Sequence, residues 1–363
     1  MPVSSGNGSP IRRVAVALQG GGSHGAFTWG VLDRLLQEPG FEIVGVSGTS
    51  AGAMNAGILA DGLRRGGAAE ARGALERYWE DVGHLPGYAS FSSAAPFGGA
   101  PTWHLEHNPL FLWHEALTRM WSPYETNPLN FTPLRRLLAR IDFEALRHDP
   151  TAVRVFVCAT NVRTGLRHVF ENAELSADVL LASAALPQVS QAVEIDGEHY
   201  WDGGYTGNPA LAPLYLSTDA TDLIVVGINP IVRSEVPRTA RAIIDRAGEI
   251  SFNSSFVGEL AAIAFFEDLM RSRPADPSFR RLFVHGIGDQ ALAAFGASSK
   301  MNNAPDFLHH LHAIGERAAE RWLAENRHVV GKRSTVDLSG LVPTQHASLI
   351  GPSIIEQKHK VQT

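Results

Sequence analysis

Residues 14–25 read VAVALQGGGSHG, and this stretch decides the fold class. The apolar and β-branched residues 14–18 predict a short buried strand, and the glycines of residues 20–25 then break the pattern. Apolar residues recur at helical spacing from Phe27 until Pro39, where the helix must end. The stretch is therefore a strand-turn-helix unit, the building block of a sheet covered by helices.

The same unit occurs again immediately downstream. Residues 43–46 predict a second strand, a glycine-flanked turn follows, and residues 51–63 are small and apolar enough for a buried helix. Asp196-Gly197 is typical of a tight hairpin turn. Later strands are predicted in four segments: 153–159, 193–201, 222–228 and 281–285. This alternation predicts an α/β protein, a three-layer α/β/α sandwich with a mainly parallel central sheet.

Composition and charge exclude several classes of function. The 363 residues carry 31 basic and 37 acidic side chains, and the formal net charge of -6 excludes nucleic acid as the main partner. With 44% hydrophobic and 19% charged residues, the chain has the composition of a globular protein. A single cysteine, Cys158, rules out an intrachain disulfide. The sequence leaves the oligomeric state open.

The apolar segments are too short for secretion or for crossing a bilayer. The run 14–18 falls short of the roughly 7 to 15 residues of a signal-peptide core, and no stretch reaches the roughly 18 apolar residues of a membrane span. We therefore expect no signal peptide and no transmembrane helix, a cytoplasmic location, and only peripheral contact with a membrane.

The glycine turn after the first strand matches G-x-G-x-x-G through Gly20, Gly22 and Gly25. Such a turn presents backbone N–H groups to a negative charge, which is either a dinucleotide pyrophosphate or the oxyanion of an acyl intermediate. A dinucleotide site also needs an acidic residue at the end of the second strand. The only acid of that strand, Glu42, stands at its start. The pattern favours the oxyanion hole, and a nucleotide-binding oxidoreductase stays as an alternative.

The turn after the second strand is a nucleophile-elbow pattern, Gly48-Thr49-Ser50-Ala51-Gly52. In this strand-turn-helix setting a serine projects from a sharp turn at a helix N-terminus, where the N–H of Ala51 can stabilise an oxyanion. A serine that only caps the following helix is the alternative.

A serine nucleophile needs a base. Asp202 follows the predicted hairpin, and Gly203 and Gly204 would let its carboxylate approach another turn closely. His285, at the end of the strand 281–285, is the candidate for an alternative Ser-Asp-His triad of the α/β-hydrolase type.

Together, and in this order, the three motifs resemble those of the patatin-like phospholipase family over residues 13–230. The resemblance implies a lipid acyl hydrolase, of phospholipase A or lysophospholipase type, with a catalytic dyad of Ser50 and Asp202. It also implies an oxyanion hole, and the turns place five residues there: Gly20, Gly21, Gly22, Gly25 and Ala51. Gly48, Gly52, Gly203 and Gly204 support the motifs. The mechanism needs neither a metal nor an organic cofactor.

One position departs from the family pattern. The family commonly has Arg or Lys before the last glycine of the oxyanion turn, whereas this chain has His24. A positive charge there would depend on pH.

We expect four divisions of the chain. Residues 1–12 form a flexible tail, 13–232 the acyl hydrolase domain, 233–345 a mostly helical C-terminal extension, and 346–363 a polar tail. The hydrolase domain carries an aromatic insertion at 91–131, which holds three tryptophans: Trp103, Trp113 and Trp121. Because tryptophan favours lipid-water boundaries, the insertion is a candidate lid or lipid-contacting surface.

Two helical patterns in the extension have structural interpretations. Apolar residues from Phe252 to Ile263 recur at helical spacing, which is typical of a helix packed on the core. The histidines at 309, 310 and 312 indicate a solvated helix face, because no metal-binding pattern accompanies them. A lipid-binding module without catalysis remains a further alternative, in which Ser50 would be unreactive.

Overall fold

The computed structural model of the chain describes residues 11–86, 103–106, 108–233, 235–271 and 281–338. The predicted polar tail and residues 1–10 of the predicted N-terminal tail lie outside these ranges, as does much of the first half of the predicted aromatic insertion.

Eight strands among the described residues form one sheet. In chain order they are β1 (Arg12–Leu18), β2 (Phe41–Gly48), β3 (Arg154–Asn161), β4 (Arg167–Phe170), β5 (Val193–Ile195), β6 (Glu198–Asp202), β7 (Asp222–Val226) and β8 (Phe283–Ile287). Their order is β5-β6-β3-β2-β1-β7-β8, with β4 also pairing with β3. Five neighbouring strands pair in parallel: β3, β2, β1, β7 and β8. Strands β4 and β6 pair antiparallel with β3, and β5 pairs antiparallel with β6.

Ten α-helices are described: α1 (Gly25–Leu35), α2 (Ala51–Gly83), α3 (Pro109–Met120), α4 (Pro123–Thr126), α5 (Leu134–Leu138), α6 (Phe143–His148), α7 (Ala177–Ser183), α8 (Ala212–Ser217), α9 (Ala240–Arg271) and α10 (Pro305–Asn326). Short 3-10 turns occur between several of the elements, for example at Gly22–His24 and Ala297–Met301.

Side chains on the central strands alternate between two cores. Along β1, Val14 and Val16 face the core that contains α1, α2 and α10. Ala15 and Ala17 face the second core, which contains α8 and α9. Because successive strand residues point to opposite faces, helices cover both faces of the sheet. The predicted three-layer α/β/α fold with a mainly parallel sheet is confirmed.

The C-terminal helix α10 packs against α1 at very short range. A side chain at Gly30 would collide with the carbonyl of His312, and one at Gly315 would collide with the carbonyl of Phe27. The two glycines therefore let the two helix backbones touch, which fixes α1 and the glycine turn that precedes it.

Most predicted elements are present with shifted ends. The predicted helix 51–63 extends to Gly83 as α2, with a break at Gly66 and Gly67, where the backbone leaves the helical region. The hairpin turn at Asp196-Gly197 is confirmed, and both of its residues have positive φ. The short strand β4 was not predicted from the sequence.

Candidate active site

The candidate site lies where neighbouring parallel strands end. Leu18 pairs with Gly48, so β1 and β2 end side by side and release the glycine turn and the Ser50 turn at one edge of the sheet. The antiparallel strand β6 brings Asp202 to the same region, where it pairs with Ala159 of β3. The ends of parallel strands are where open α/β sheets build their sites.

Ser50 occupies a strained turn between β2 and α2. Its φ of 56° and ψ of -125° are unusual for a residue with a side chain, and such strain costs about 1–3 kcal/mol. A side chain at Gly48 would collide with the carbonyl of Gly52, and one at Gly52 would collide with that of Leu18. The two flanking glycines therefore permit the sharp turn that projects the Ser50 hydroxyl from the helix N-terminus.

A second serine fixes the backbone of this turn. The N–H of Ser50 donates to Ser183 Oγ at 2.9 Å, and Ser183 Oγ donates to the carbonyl of Cys158 at 2.6 Å. Ser183 is fully buried at the end of α7. It therefore links the Ser50 turn to β3.

Asp202 is a buried carboxylate, and the Ser50 side chain lies close enough to influence its pKa. It is 1% exposed, and its Oδ1 accepts from the N–H of Gly204 at 2.7 Å. Burial raises the pKa of Asp202 to about 6, while the hydrogen bond from Gly204 and the nearby Ser50 side chain act in the opposite direction. The carboxylate is thus a much better proton acceptor than an exposed aspartate and is still ionised at neutral pH.

The two glycines after Asp202 are required by close approach. A side chain at Gly203 would collide with the carbonyl of Cys158, and one at Gly204 would collide with the ring of Phe252 on α9. Because Gly203 and Gly204 have no side chains, the turn fits between β3 and α9 and holds Asp202 next to the Ser50 turn.

The glycine turn contacts the Ser50 turn directly. A side chain at Gly20 would come within 2.6 Å of the Ser50 Cβ, and one at Gly25 within 2.7 Å of the Ala51 Cβ. The structure thus brings together the three motifs that the sequence places far apart.

The backbone N–H groups of the turn have different roles. The N–H of Gly20 donates to Asn208 Oδ1 at 2.6 Å, and that of Gly25 is directed at the carbonyls of Gly22 and Ser23. These two of the five predicted oxyanion donors are therefore already engaged, and Gly20 and Gly25 shape the turn instead. The remaining three, in Gly21, Gly22 and Ala51, have no acceptor among the described residues.

His24 is buried and uncharged. Burial, and to a lesser degree the charge of Lys300, lowers the pKa of His24 to about 3. Its Nε2 hydrogen-bonds Ser299 Oγ at 2.8 Å. The expectation of a pH-dependent charge at this position is therefore wrong for the physiological range, where the ring is neutral.

The structure does not bring His285 to the site. In β8 it pairs with Ile224 of β7, three strands away from β2, and its Nε2 lies 2.9 Å from Oδ1 of Asp222. Three strand spacings are about 14 Å. His285 and Asp222 form a buried pair inside the sheet, so the alternative triad with His285 is wrong.

Two other expectations can be compared with the structure. Glu42 stands at the start of β2 and pairs with Arg13 at 3.6 Å, at the opposite edge from the glycine turn. The histidines at 309 and 310 are exposed on α10, as predicted, whereas His312 is partly buried and its ring packs at a tilt against Trp29, with 4.0 Å between ring centroids. Within the described ranges, no group of three or more His, Cys, Asp or Glu could hold a metal.

The described part of the predicted aromatic insertion contains both packed and exposed tryptophans. Trp103 stacks on Phe307 with 5.2 Å between ring centroids, whereas Trp113 and Trp121 are 60% and 43% exposed. Phe256 of α9 is buried, as its spacing predicted. No helix in the described part of the chain is long and apolar enough to cross a membrane.

Several residues at the site were not found from the sequence: Ser183, Asn208, Asn229 and Lys300. Asn229 follows β7, the parallel neighbour of β1, and that position was a usable signal for a residue beside the glycine turn. Ser183 and Lys300 lie in segments without any local motif.

Comparison with known proteins identifies one family. The family described as Patatin-like phospholipase matches residues 16–215, more than half of the chain. No protein with a curated description matches significantly. Eleven solved chains match, among them VipD from Legionella pneumophila, with 14% sequence identity, a TM-score of 0.32, and coverage of 86% of this chain and 69% of VipD. Similarity at that level says nothing about the function of this chain.

Proposed function

This chain belongs to the patatin-like phospholipase family of lipid acyl hydrolases, and we propose that it cleaves its ester with Ser50 as the nucleophile and Asp202 as the general base. The observation that carries the proposal is that the Ser50 side chain lies beside the buried carboxylate of Asp202, close enough to lower the pKa of that carboxyl group. The strained backbone of Ser50, which presents a hydroxyl at a helix N-terminus, supports the same roles.

In the first half of the reaction, Ser50 Oγ attacks the acyl carbonyl while its proton moves to Asp202. The carbonyl oxygen becomes an oxyanion, and the N–H groups of Gly21, Gly22 and Ala51, which have no acceptor in the described part of the chain, are the donors that we propose stabilise it. The tetrahedral intermediate then collapses, and the C–O bond to the leaving alcohol breaks. Asp202 returns the proton to that alcohol, which leaves an acyl group on Ser50.

In the second half, Asp202 takes a proton from water as the water attacks the acyl-enzyme. The same N–H groups stabilise the second oxyanion, and the bond to Ser50 Oγ breaks as the proton returns to that oxygen. A carboxylic acid is released. A base with a pKa of about 6 suits both proton transfers, because it is ionised at neutral pH and yet close enough in basicity to exchange a proton readily.

The substrate we propose is a phospholipid or lysophospholipid, met at a lipid surface. A run of large exposed apolar side chains covers the second half of the insertion: Leu112, Trp113, Met120, Trp121, Tyr124, Leu129 and Phe131. Apolar groups exposed together in this way are typical of surfaces that contact lipid or a partner.

This apolar surface lies close to the Asp202 region. Gln191 donates to the carbonyl of Asn127 at 2.8 Å, and the N–H of Ala192 donates to the Tyr124 hydroxyl at 3.3 Å. A few residues earlier, the carbonyl of Ala185 accepts the N–H of Asp202 at 2.9 Å. The segment that supports the catalytic carboxylate thus also contacts the apolar surface, and we propose peripheral contact with lipid on this side.

A fluorophosphonate probe tests the nucleophile. The native protein should be labelled on Ser50, and Ser50→Ala should not be labelled. Ser254→Ala is the matched control, since Ser254 is exposed on α9 and donates only to the carbonyl of Ser251. Equal labelling of the native protein and Ser50→Ala would end the assignment.

A further inference from the structure

A chain of hydrogen bonds runs from Lys300 into the glycine turn. Lys300 Nζ donates to Asn229 Oδ1 at 2.7 Å, and Asn229 Nδ2 donates to the carbonyl of Gly20 at 2.7 Å. The Asn229 side chain is buried, and both ends of its amide are used. Because the ammonium group can only donate, it fixes which end of the amide faces Gly20.

Fixing the carbonyl of Gly20 also orients the next N–H group. In a trans peptide the C=O and the following N–H lie in one plane and point in opposite directions. The carbonyl of Gly20 is directed at Asn229, so the N–H of Gly21 points away from Asn229. Gly21 N–H is one of the three turn donors without an acceptor among the described residues.

We propose that Lys300 is a positioning residue of the oxyanion hole, which acts through Asn229 and the peptide between Gly20 and Gly21. Its charge polarises the amide of Asn229, and each bond in such a series strengthens the next. The N–H of Gly21 then becomes a better oriented and stronger donor. This inference rests on the proposed function, because it requires an oxyanion to form at the turn.

The charged neighbours of Lys300 have opposing effects on its pKa. Burial lowers the pKa of Lys300, and the neighbouring carboxylates of Glu249 and Asp245 oppose that effect, whereas Arg233 adds to it. His24, the other titratable group here, has a pKa of about 3 and carries no charge at neutral pH. Lys300 donates a hydrogen bond to Asn229, and the amide of Asn229 in turn donates to the carbonyl of Gly20.

The backbone of Lys300 is also in direct contact with the turn. Gly22 has a φ of 57°, and a side chain there would collide with the carbonyl of Lys300. Lys300 and Asn229 both lie outside the segment 16–215 that matches the family. Residues beyond that segment therefore complete the support of the oxyanion turn.

The test compares four variants with a soluble ester as the substrate. Lys300→Met removes the charge and the donor. Lys300→Gln replaces the ammonium group by a neutral donor on a shorter side chain, and Lys300→Arg keeps a charged donor in a larger group. Lys332→Met is the matched control, because Lys332 is the other lysine among the described residues and is exposed. Active sites are titrated with a fluorophosphonate, so that kcat refers to folded, reactive protein.

We expect kcat of Lys300→Met to fall on the order of tenfold, less than the roughly 100- to 1,000-fold loss typical of a direct oxyanion donor. The KM of Lys300→Met should equal that of the native protein. The kcat of Lys300→Gln should lie between those of the native protein and Lys300→Met, and the kcat of Lys300→Arg should exceed that of Lys300→Met. The affinity for a trifluoromethyl ketone, which mimics the oxyanion, should fall in parallel with kcat. A change in KM or thermal stability alone, with kcat retained, would overturn the inference.

A double variant tests the route of the effect. If Lys300 acts through Asn229, then Asn229→Ala combined with Lys300→Met should lose no more kcat than Asn229→Ala alone. Losses of kcat that multiply in the double variant would show that Lys300 and Asn229 act separately and would refute the route through Asn229.

The possible outcomes distinguish this inference from the proposed function. Full activity in Ser50→Ala would remove the proposed function, whereas an inactive Ser50→Ala with wild-type kcat in Lys300→Met would remove only this inference.

Discussion

The pH dependence of hydrolysis should report the burial of Asp202. The base must be ionised to accept the proton of Ser50, so kcat/KM should fall as the pH drops through the pKa of this carboxyl group in the free enzyme. That pKa is about 6, compared with the ordinary value of 3.8. The acid limb should therefore lie about two pH units higher than an exposed aspartate would place it.

The size of the effect follows from these two values. With a pKa of about 6, only about one tenth of the Asp202 side chains are ionised at pH 5, whereas a pKa of 3.8 would leave more than nine tenths ionised. A soluble ester measured from pH 4.5 to pH 8 in buffers of constant ionic strength should thus lose about tenfold in kcat/KM between pH 7 and pH 5.

A control variant tests whether His24 causes the acid limb of the pH profile. His24 has a pKa of about 3, so His24→Gln should leave the acid limb where it is. Undiminished kcat/KM at pH 5, in protein that circular dichroism shows to be folded, would refute the assignment of a raised pKa to the catalytic base.

Three further predictions concern stability and lipid binding. Asp202→Asn should abolish turnover yet raise the free energy of unfolding by up to about 3 kcal/mol at pH 8. Because the pKa of Asp202 is raised in the folded state, its ionisation destabilises the folded state above pH 6 and has no such effect below about pH 4. Urea unfolding of Asp202→Asn and the native protein should therefore show the gain in stability at pH 8 and not at pH 4. His285→Ala should lower the free energy of unfolding by about 3 kcal/mol, because the buried Asp222 loses its imidazole partner and keeps, among the described residues, only the hydrogen bonds from Thr221 and Gly331, while kcat per titrated site is retained. A loss of hydrolysis as complete as in the serine variant would contradict the dyad. Replacing Trp113 and Trp121 with Ser should weaken binding to phospholipid vesicles by about tenfold or more without changing hydrolysis of a soluble ester, and unchanged vesicle flotation would contradict a lipid-contacting role.

The fold was predictable because local patterns carry it. Apolar runs such as 14–18 and the glycine turns that follow them specify strand-turn-helix units, and repeated units require a parallel sheet. The ends of elements were less predictable. The segment from Ala51 to Gly83 breaks at Gly66 and Gly67, close to the predicted helix end at residue 63, and the chain then forms further helix that the sequence analysis did not predict.

The candidate site was partly predictable for a related reason. Ser50 and Asp202 each stand in a glycine-rich turn with a recognisable spacing, since their backbones must approach other turns closely. Ser183 acts through two hydrogen bonds of its hydroxyl group and Lys300 through one of its ammonium group, and such contacts leave no pattern in the sequence. His285 looked like a candidate base only because it closes a predicted strand, and the register of β8 places it in the middle of the sheet.

The most direct test of the Ser50 and Asp202 dyad is to trap the acyl-enzyme. The protein is mixed with a soluble ester of a slowly hydrolysed acid, quenched in acid within milliseconds to seconds, digested and mapped by mass spectrometry. The native protein should carry the acyl group on Ser50, and Asp202→Asn should acquire it far more slowly. Rapid product release with no acyl group on Ser50 at any time point, or an acyl group on a different residue, would contradict the account.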